Sequence, residues 1–213
     1  MKVRSSIGNI AWSLGYVFFI AMVIRVAGIS QPIPVSAAVQ KDGQKFIEEA
    51  FSINRQVRVT KIKVGPDIRK FKEPFDDSDD WIRKVSFEVE SIAAKPIVFL
   101  TVNLNFPEST SSGSMMSYPI LLGIRPNVKT SNSSGSPLKL MPGEKLEISV
   151  NGHYDELARF VGTRHSMNQL HRVQVEIGFI NFDDDTAWTA GSFLRLDPNN
   201  PLHYFNIGTT PPN

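Results

Sequence analysis

Residues 97–106 read IVFLTVNLNF, and the fold is decided there. Val98, Leu100, Val102, Leu104 and Phe106 recur at every second position, with Thr101, Asn103 and Asn105 opposite them. A period of two belongs to a strand that buries one face and wets the other. The same alternation spreads outward along the chain. In residues 81–92, Val85, Phe87 and Val89 share one face, and Lys84, Ser86, Glu88 and Glu90 the other. Residues 93–96 make the turn between these two strands. Residues 118–124 form a shorter apolar strand. Residues 138–150 are interrupted by Met141-Pro142-Gly143-Glu144 and resume with Leu146, Ile148 and Val150 inward. Val173, Val175, Ile177 and Phe179 point inward with Gln174 and Glu176 outward. A turn at Asp183-Asp184-Asp185 then leads into a strand over residues 186–196.

Upstream, residues 56–64 change parity: Val57 and Val59 share one face, whereas Ile62 and Val64 share the other. Such a shift predicts a β-bulge or two short strands. Residues 65–80 are a charged loop with Pro66 and Pro74, and residues 42–51 read as a short amphipathic helix or an unstructured lead-in. Inside the strand region only Tyr154–Val161 (YDELARFV) has helical spacing, with Tyr154, Leu157, Ala158 and Val161 on one side. About seven strands joined by turns give an all-β class: an antiparallel two-sheet immunoglobulin-like sandwich with a short helix in one connection. If successive strands run antiparallel, loops 107–117 and 151–169 lie at one end. Turns 93–96 and 183–185 and loop 125–137 lie at the other.

The composition narrows function by exclusion. The 213 residues carry 23 Lys+Arg and 21 Asp+Glu. Lys2, Arg4 and Arg25 fall in residues 1–38, which hold no acidic residue, so the remainder has 20 basic against 21 acidic. A near-neutral body offers no field for nucleic acid or an anionic membrane surface. With no cysteine, thiol nucleophiles, thiolate metal sites and disulfides are excluded. G-x-S-x-G, H-E-x-x-H, G-x-x-x-x-G-K-[ST] and G-x-G-x-x-G are all absent, which counts against the common hydrolase, zincin and nucleotide-binding classes.

Residues 1–38 have the layout of a secretory signal: Lys2 and Arg4, an uncharged apolar run over residues 10–24, then Pro32, Pro34 and Val35-Ser36-Ala37. A cleaved signal, cut after Ala37, is favoured over an uncleaved anchor through residues 5–24, because Asn9 and Arg25 make a poor span. Residues 39–54 are then a lead-in, 55–205 the sandwich and 206–213 a tail. The expected location is periplasmic or extracellular, with a membrane anchor at the N-terminus as the alternative.

Candidate site residues come in three groups. Met115 and Met116, in a Ser/Gly loop, with Tyr118 and Tyr154, suggest a partner contact at the 107–117 and 151–169 end, since methionine is adaptable and costly to expose. Asp76, Asp77, Asp79 and Asp80, and separately Asp183, Asp184 and Asp185, are acidic runs; calcium is the one ion they would suit, and no other cofactor is implied. An EF-hand is excluded, because the positions needing Gly and Glu hold Trp81 and Phe87. The bland alternative is turn chemistry, with Asp side chains bonding nearby backbone N–H groups. Trp81, Tyr118, Trp188 and Tyr204 could form a sugar-stacking platform, although core packing is the default for such rings. His153, His165, His171 and His203 have no signature spacing; His153 with Asp155 and Glu156 sits at an expected helix start. A sequon at Asn132-Ser133-Ser134 matters only in a eukaryotic secretory route.

Residues 179–201 (FINFDDDTAWTAGSFLRLDPNNP) carry a resemblance. Asp185-Thr186-Ala187-Trp188, Gly191 and the run from Asp197 to Pro201 resemble the ending of exported bacterial proteins of uncharacterised function. The resemblance implies export and an immunoglobulin-like sandwich, but no activity. On the residues themselves, Asp-Pro-Asn-Asn-Pro reads as a rigid stop to the final strand. The functional expectation is an exported, non-catalytic binding or structural module of the cell envelope, its partner an unknown protein or envelope component. A calcium- or carbohydrate-binding accessory module is the alternative.

Overall fold

In a computed structural model the described residues are 43–125 and 136–211; the expected signal segment and the sequon lie outside them. Eleven strands form: β1 (Phe46–Glu49), β2 (Val57–Val64), β3 (Asp67–Arg69), β4 (Val85–Ser91), β5 (Ile97–Phe106), β6 (Met116–Gly123), β7 (Lys145–Ser149), β8 (Arg172–Phe182), β9 (Thr186–Thr189), β10 (Ser192–Asp197) and β11 (Asn200–Gly208). They pair into two sheets. One has the order β3-β2-β4-β7; the other has β11-β10-β9-β8-β5-β6, with β1 running parallel to the first part of β8. All other pairings are antiparallel.

The chain thus forms the expected two-sheet sandwich. Seven strands carry the immunoglobulin-like crossing pattern: β2 and β4 in one sheet, β5 and β6 in the other, β7 back in the first, β8 and β9 in the second. Helix α1 (Tyr154–Val161) makes the β7-to-β8 crossing, burying Leu157 and Val161 where the helical spacing placed them. β1, β3, β10 and β11 are additions at the margins. Between the sheets lie Val57, Ile62, Val85, Phe87, Val89, Leu100, Val102, Leu104, Phe106, Ile148, Val173 and Val175, with Trp81 and Trp188 fully buried among them. The parity shift in β2 is a bulge: the register with β4 slips between Val59 and Lys61, leaving Thr60 unmatched.

Several local expectations change. Residues 42–51 supply not a helix but β1, whose Ile47 enters the core as its backbone pairs with β8. Trp81–Lys84 is a 3-10 turn rather than strand, because Trp81 and Ile82 both turn inward, which alternation forbids. In β8 the register with β5 slips at Gly178, so beyond it Ile180 and Phe182 are the inward residues and Phe179 points out. Residues 186–196 split into β9 and β10 at Ala190-Gly191, both at positive φ (47° and 87°), the twist of a tight primed hairpin. Asp197 pairs with Asn200, so the Asp-Pro-Asn-Asn-Pro run turns the chain into β11 rather than ending the sheet, and β11 continues to Gly208. Asn105 is buried, not solvated. Among the described residues no helix is long and apolar enough to cross a membrane.

Candidate functional site

The loops 107–117 and 151–169, and the turns 93–96 and 183–185, are grouped as the antiparallel argument predicts, whereas loop 125–137 lies largely outside the described residues. At one end, Tyr118 Oη donates to Glu156 (3.2 Å), Arg164 Nη1 to the Ser114 carbonyl (3.5 Å), and the Glu108 carboxylate accepts from the backbone N–H groups of His171 and Arg172 (3.0–3.1 Å). Loops 107–117 and 151–169 therefore pack on each other. At the other end, Lys95 Nζ donates to Asp184 (2.6 Å), joining turns 93–96 and 183–185.

That packing removes the expected contact patch. Met116 and Tyr118 are 4% and 8% exposed and belong to the core; the Tyr118 ring packs against Phe160. Tyr154 lies under the Arg83 guanidinium, 4.2 Å from the ring centroid. Met115 alone is substantially open, at 41%. The reason is the register of β6, which starts at Met116 and points Met116, Tyr118 and Ile120 inward together. Burial and the Glu156 carboxylate push the Tyr118 phenol above its usual range.

The acidic runs are occupied by other partners. Asp77 accepts from Ser78 and Lys84, Asp80 accepts from Ser78, and Asp79 lies 3.8 Å from the buried Lys45 ammonium; Asp76 is exposed. Burial alone would raise Asp77, yet its bonds from Lys84 and Ser78 hold it below the usual carboxylate range. In the second run Asp184 accepts from Lys95 and from both the N–H and hydroxyl of Thr186, while Asp185 sits at φ 62° in the turn and Asp183 donates its N–H to the Pro96 carbonyl. Asp184 is likewise held down: Lys95 and Thr186 outweigh the effect of its burial. Both runs thus do turn chemistry, and no His/Asp/Glu cluster suited to a metal ion occurs among the described residues.

Trp81 and Trp188 are fully buried, so neither can stack on a sugar. Trp81 Nε1 donates to the Leu170 carbonyl at 2.9 Å. Of the remaining small candidates, Asp155 pairs with Arg83, and His171 and His203 each face a single carboxylate, Glu108 at 3.6 Å and Asp197 at 3.8 Å. A small cleft of about 30 Å3 lies between Gln56, Lys95, Phe182, Thr186, Phe193 and Pro211. The polar side chains there are already engaged: Lys95 and Thr186 with Asp184, Gln56 with the Asn54 carbonyl.

What remains is a difference between the two outer faces. On the four-stranded sheet every charged side chain is paired: Arg58 with Glu90, Lys61 and Lys145 with Glu88, Lys63 with Glu147, at 2.9–3.9 Å. On the larger sheet the outward positions of the central strands β5 and β8 hold Thr101, Asn103, Asn105, Gln174 and Glu176. Asn105 Nδ2 donates to Glu176 at 2.8 Å, whereas the side chains of Thr101, Asn103 and Gln174 bond no other described residue. Beside them Phe179 and Tyr204 meet edge to face at 5.7 Å, with the Arg125 guanidinium 5.1 Å from the Phe179 centroid. The sequence marked Asn103 and Gln174 only as solvated. Their signal was propensity: Asn is depleted in strands, yet it recurs here in a central one.

Against known proteins, the chain matches no protein family, no curated protein and no solved structure.

Proposed function

We propose that this protein is an exported, non-catalytic binding module of the cell envelope, and that it contacts its partner through the outer face of the larger sheet. The observation that carries the reading is the asymmetry between the faces. One consumes its charges internally, while the other presents the hydroxyl and amides of Thr101, Asn103 and Gln174, which bond no other described residue, beside the Glu176 carboxylate, which takes one bond from Asn105. A sheet held by two fully buried tryptophans and a continuous core presents such groups at fixed spacing, which lowers the ordering cost of association. Export rests on the basic start, apolar run and small-residue cut site of residues 1–38. Support for a non-catalytic role comes from the sequence, which carries none of the hydrolase, zincin or nucleotide-binding motifs. The calcium reading is weaker, because lysines and turn hydrogen bonds already engage the acidic runs.

The test has two arms. Residues 1–38 fused to a reporter active only after export should yield activity. A photo-crosslinking residue placed at Gln174 in cells should form adducts that the same residue at Glu88, on the paired face, does not. Adducts at neither position, or equally at both, overturn the contact face.

A further inference from the structure

The chemistry of that open face selects a ligand class. Thr101, Asn103, Gln174 and Glu176 lie on neighbouring strands roughly 5 Å apart. A side-chain amide offers donors and an acceptor in one plane, and a carboxylate offers two acceptors. Adjacent hydroxyl groups, each donor and acceptor at once, match this set. The β-bulge at Gly178 brings it together: a Cβ there would stand 2.6 Å from Asn103 Nδ2, so the missing side chain is what lets the Asn103 amide lie across β8. Phe179, which shares its ring with the Arg125 guanidinium, and Tyr204, both half-buried, add aromatic surface of the kind that meets the C–H face of a sugar.

The same face disfavours other partners. Glu176 stands at its centre, which repels polyanions, and Arg125 is no basic cluster.

Resting on the binding-module reading above, we infer that the outer face of β5 and β8 binds a neutral polysaccharide, through the hydrogen-bonding groups of Asn103, Gln174 and Glu176 and the rings of Phe179 and Tyr204. Affinity electrophoresis of the full chain in mild detergent tests this. The gels would contain hydroxyethylcellulose, galactomannan, soluble β-1,3-glucan or the anionic polymers alginate and polygalacturonate. At least one neutral polymer should retard the protein and neither anionic polymer should. Asn103→Ala and Glu176→Gln should each weaken retardation about tenfold, with melting temperature held, whereas Glu88→Gln on the other face should not. Retardation by no neutral polymer, stronger retardation by the anionic ones, or insensitivity to both face substitutions overturns the inference. Adducts at Gln174 without any retardation remove the glycan and leave the binding module standing; absence of both removes the two together.

Discussion

Trp81 and Trp188 are both fully buried and differ in one bond. Trp81 Nε1 donates to Leu170, whereas Trp188 Nε1 has no hydrogen-bond partner. Replacing either by Phe removes similar volume, but only Trp81→Phe also strands a buried carbonyl, at about 1–3 kcal/mol. Trp81→Phe should therefore destabilise by at least about 1 kcal/mol more than Trp188→Phe in urea unfolding, with unchanged m-values. Equal losses would show that the Leu170 bond contributes nothing net. Two glycines make a similar contrast. At Gly123, φ is 87° and a Cβ would stand 2.3 Å from the Val98 carbonyl oxygen, so Gly123→Ala forces backbone apart as well as costing about 1–2 kcal/mol of left-handed strain. At Gly178 the obstructing atom is the end of a flexible amide. Gly178→Ala should leave stability within about 1 kcal/mol while displacing Asn103, whereas Gly123→Ala should cost about 2 kcal/mol or more.

At the scale of elements, the edges of the larger sheet show how self-association is limited. Pro119 sits midway along the edge strand β6, opposite Asn103, and takes a backbone donor away from an edge whose Leu121 side chain is largely exposed. Restoring that donor with Pro119→Thr should increase concentration-dependent self-association in sedimentation velocity; an unchanged monomer would mean that Pro119 does not guard the edge. The β9–β10 hairpin offers the opposite sign. Ala190 occupies a position at φ 47° that Asn or Gly adopts more readily, so Ala190→Asn should raise stability by about 0.5–1 kcal/mol. This hairpin also marks the limit of what sequence alone conveys. Where hydrophobic period spoke, as in β4, β5, α1 and the Thr60 bulge, the elements were legible, because burial sets parity directly. Thr-Ala-Gly-Ser lacks the Asn-Gly or Asp-Gly signature, so the turn was hidden inside an apparent strand. β1 was hidden too: four residues with one buried side chain have no period, and only the parallel partner β8 makes them a strand. The open face was unreadable for a related reason, since solvated Asn and engaged Asn look alike until their neighbours are known.

Taken as one molecule, the sandwich is tied within its smaller sheet and at its turns by carboxylates that prefer to stay charged. Asp77 and Asp184 are held below the usual carboxylate range by lysine, serine or threonine donors despite their burial, while Lys145 and Thr60 depress Glu88 and Lys63 depresses Glu147. For each, the folded pKa lies below the unfolded one. The stability they contribute is thus fully present above the unfolded value, about 4, and disappears as pH falls through the folded values. The melting temperature should be nearly flat from about pH 7 to 5 and should drop below about pH 4. Lys95→Met isolates one contributor, because Lys95 joins the β4–β5 turn to the acidic turn before β9 through Asp184. Without Lys95, Asp184 keeps only its Thr186 bonds and gains less from being ionised, so the variant should be less stable than the parent at pH 7 and closer to it at pH 3. The gap between the two proteins must therefore narrow as pH falls. A gap of the same size at both pH values would mean that Lys95 stabilises by packing its methylenes beside Phe182 and Phe193, and that the ion pair between the turns adds nothing to the fold.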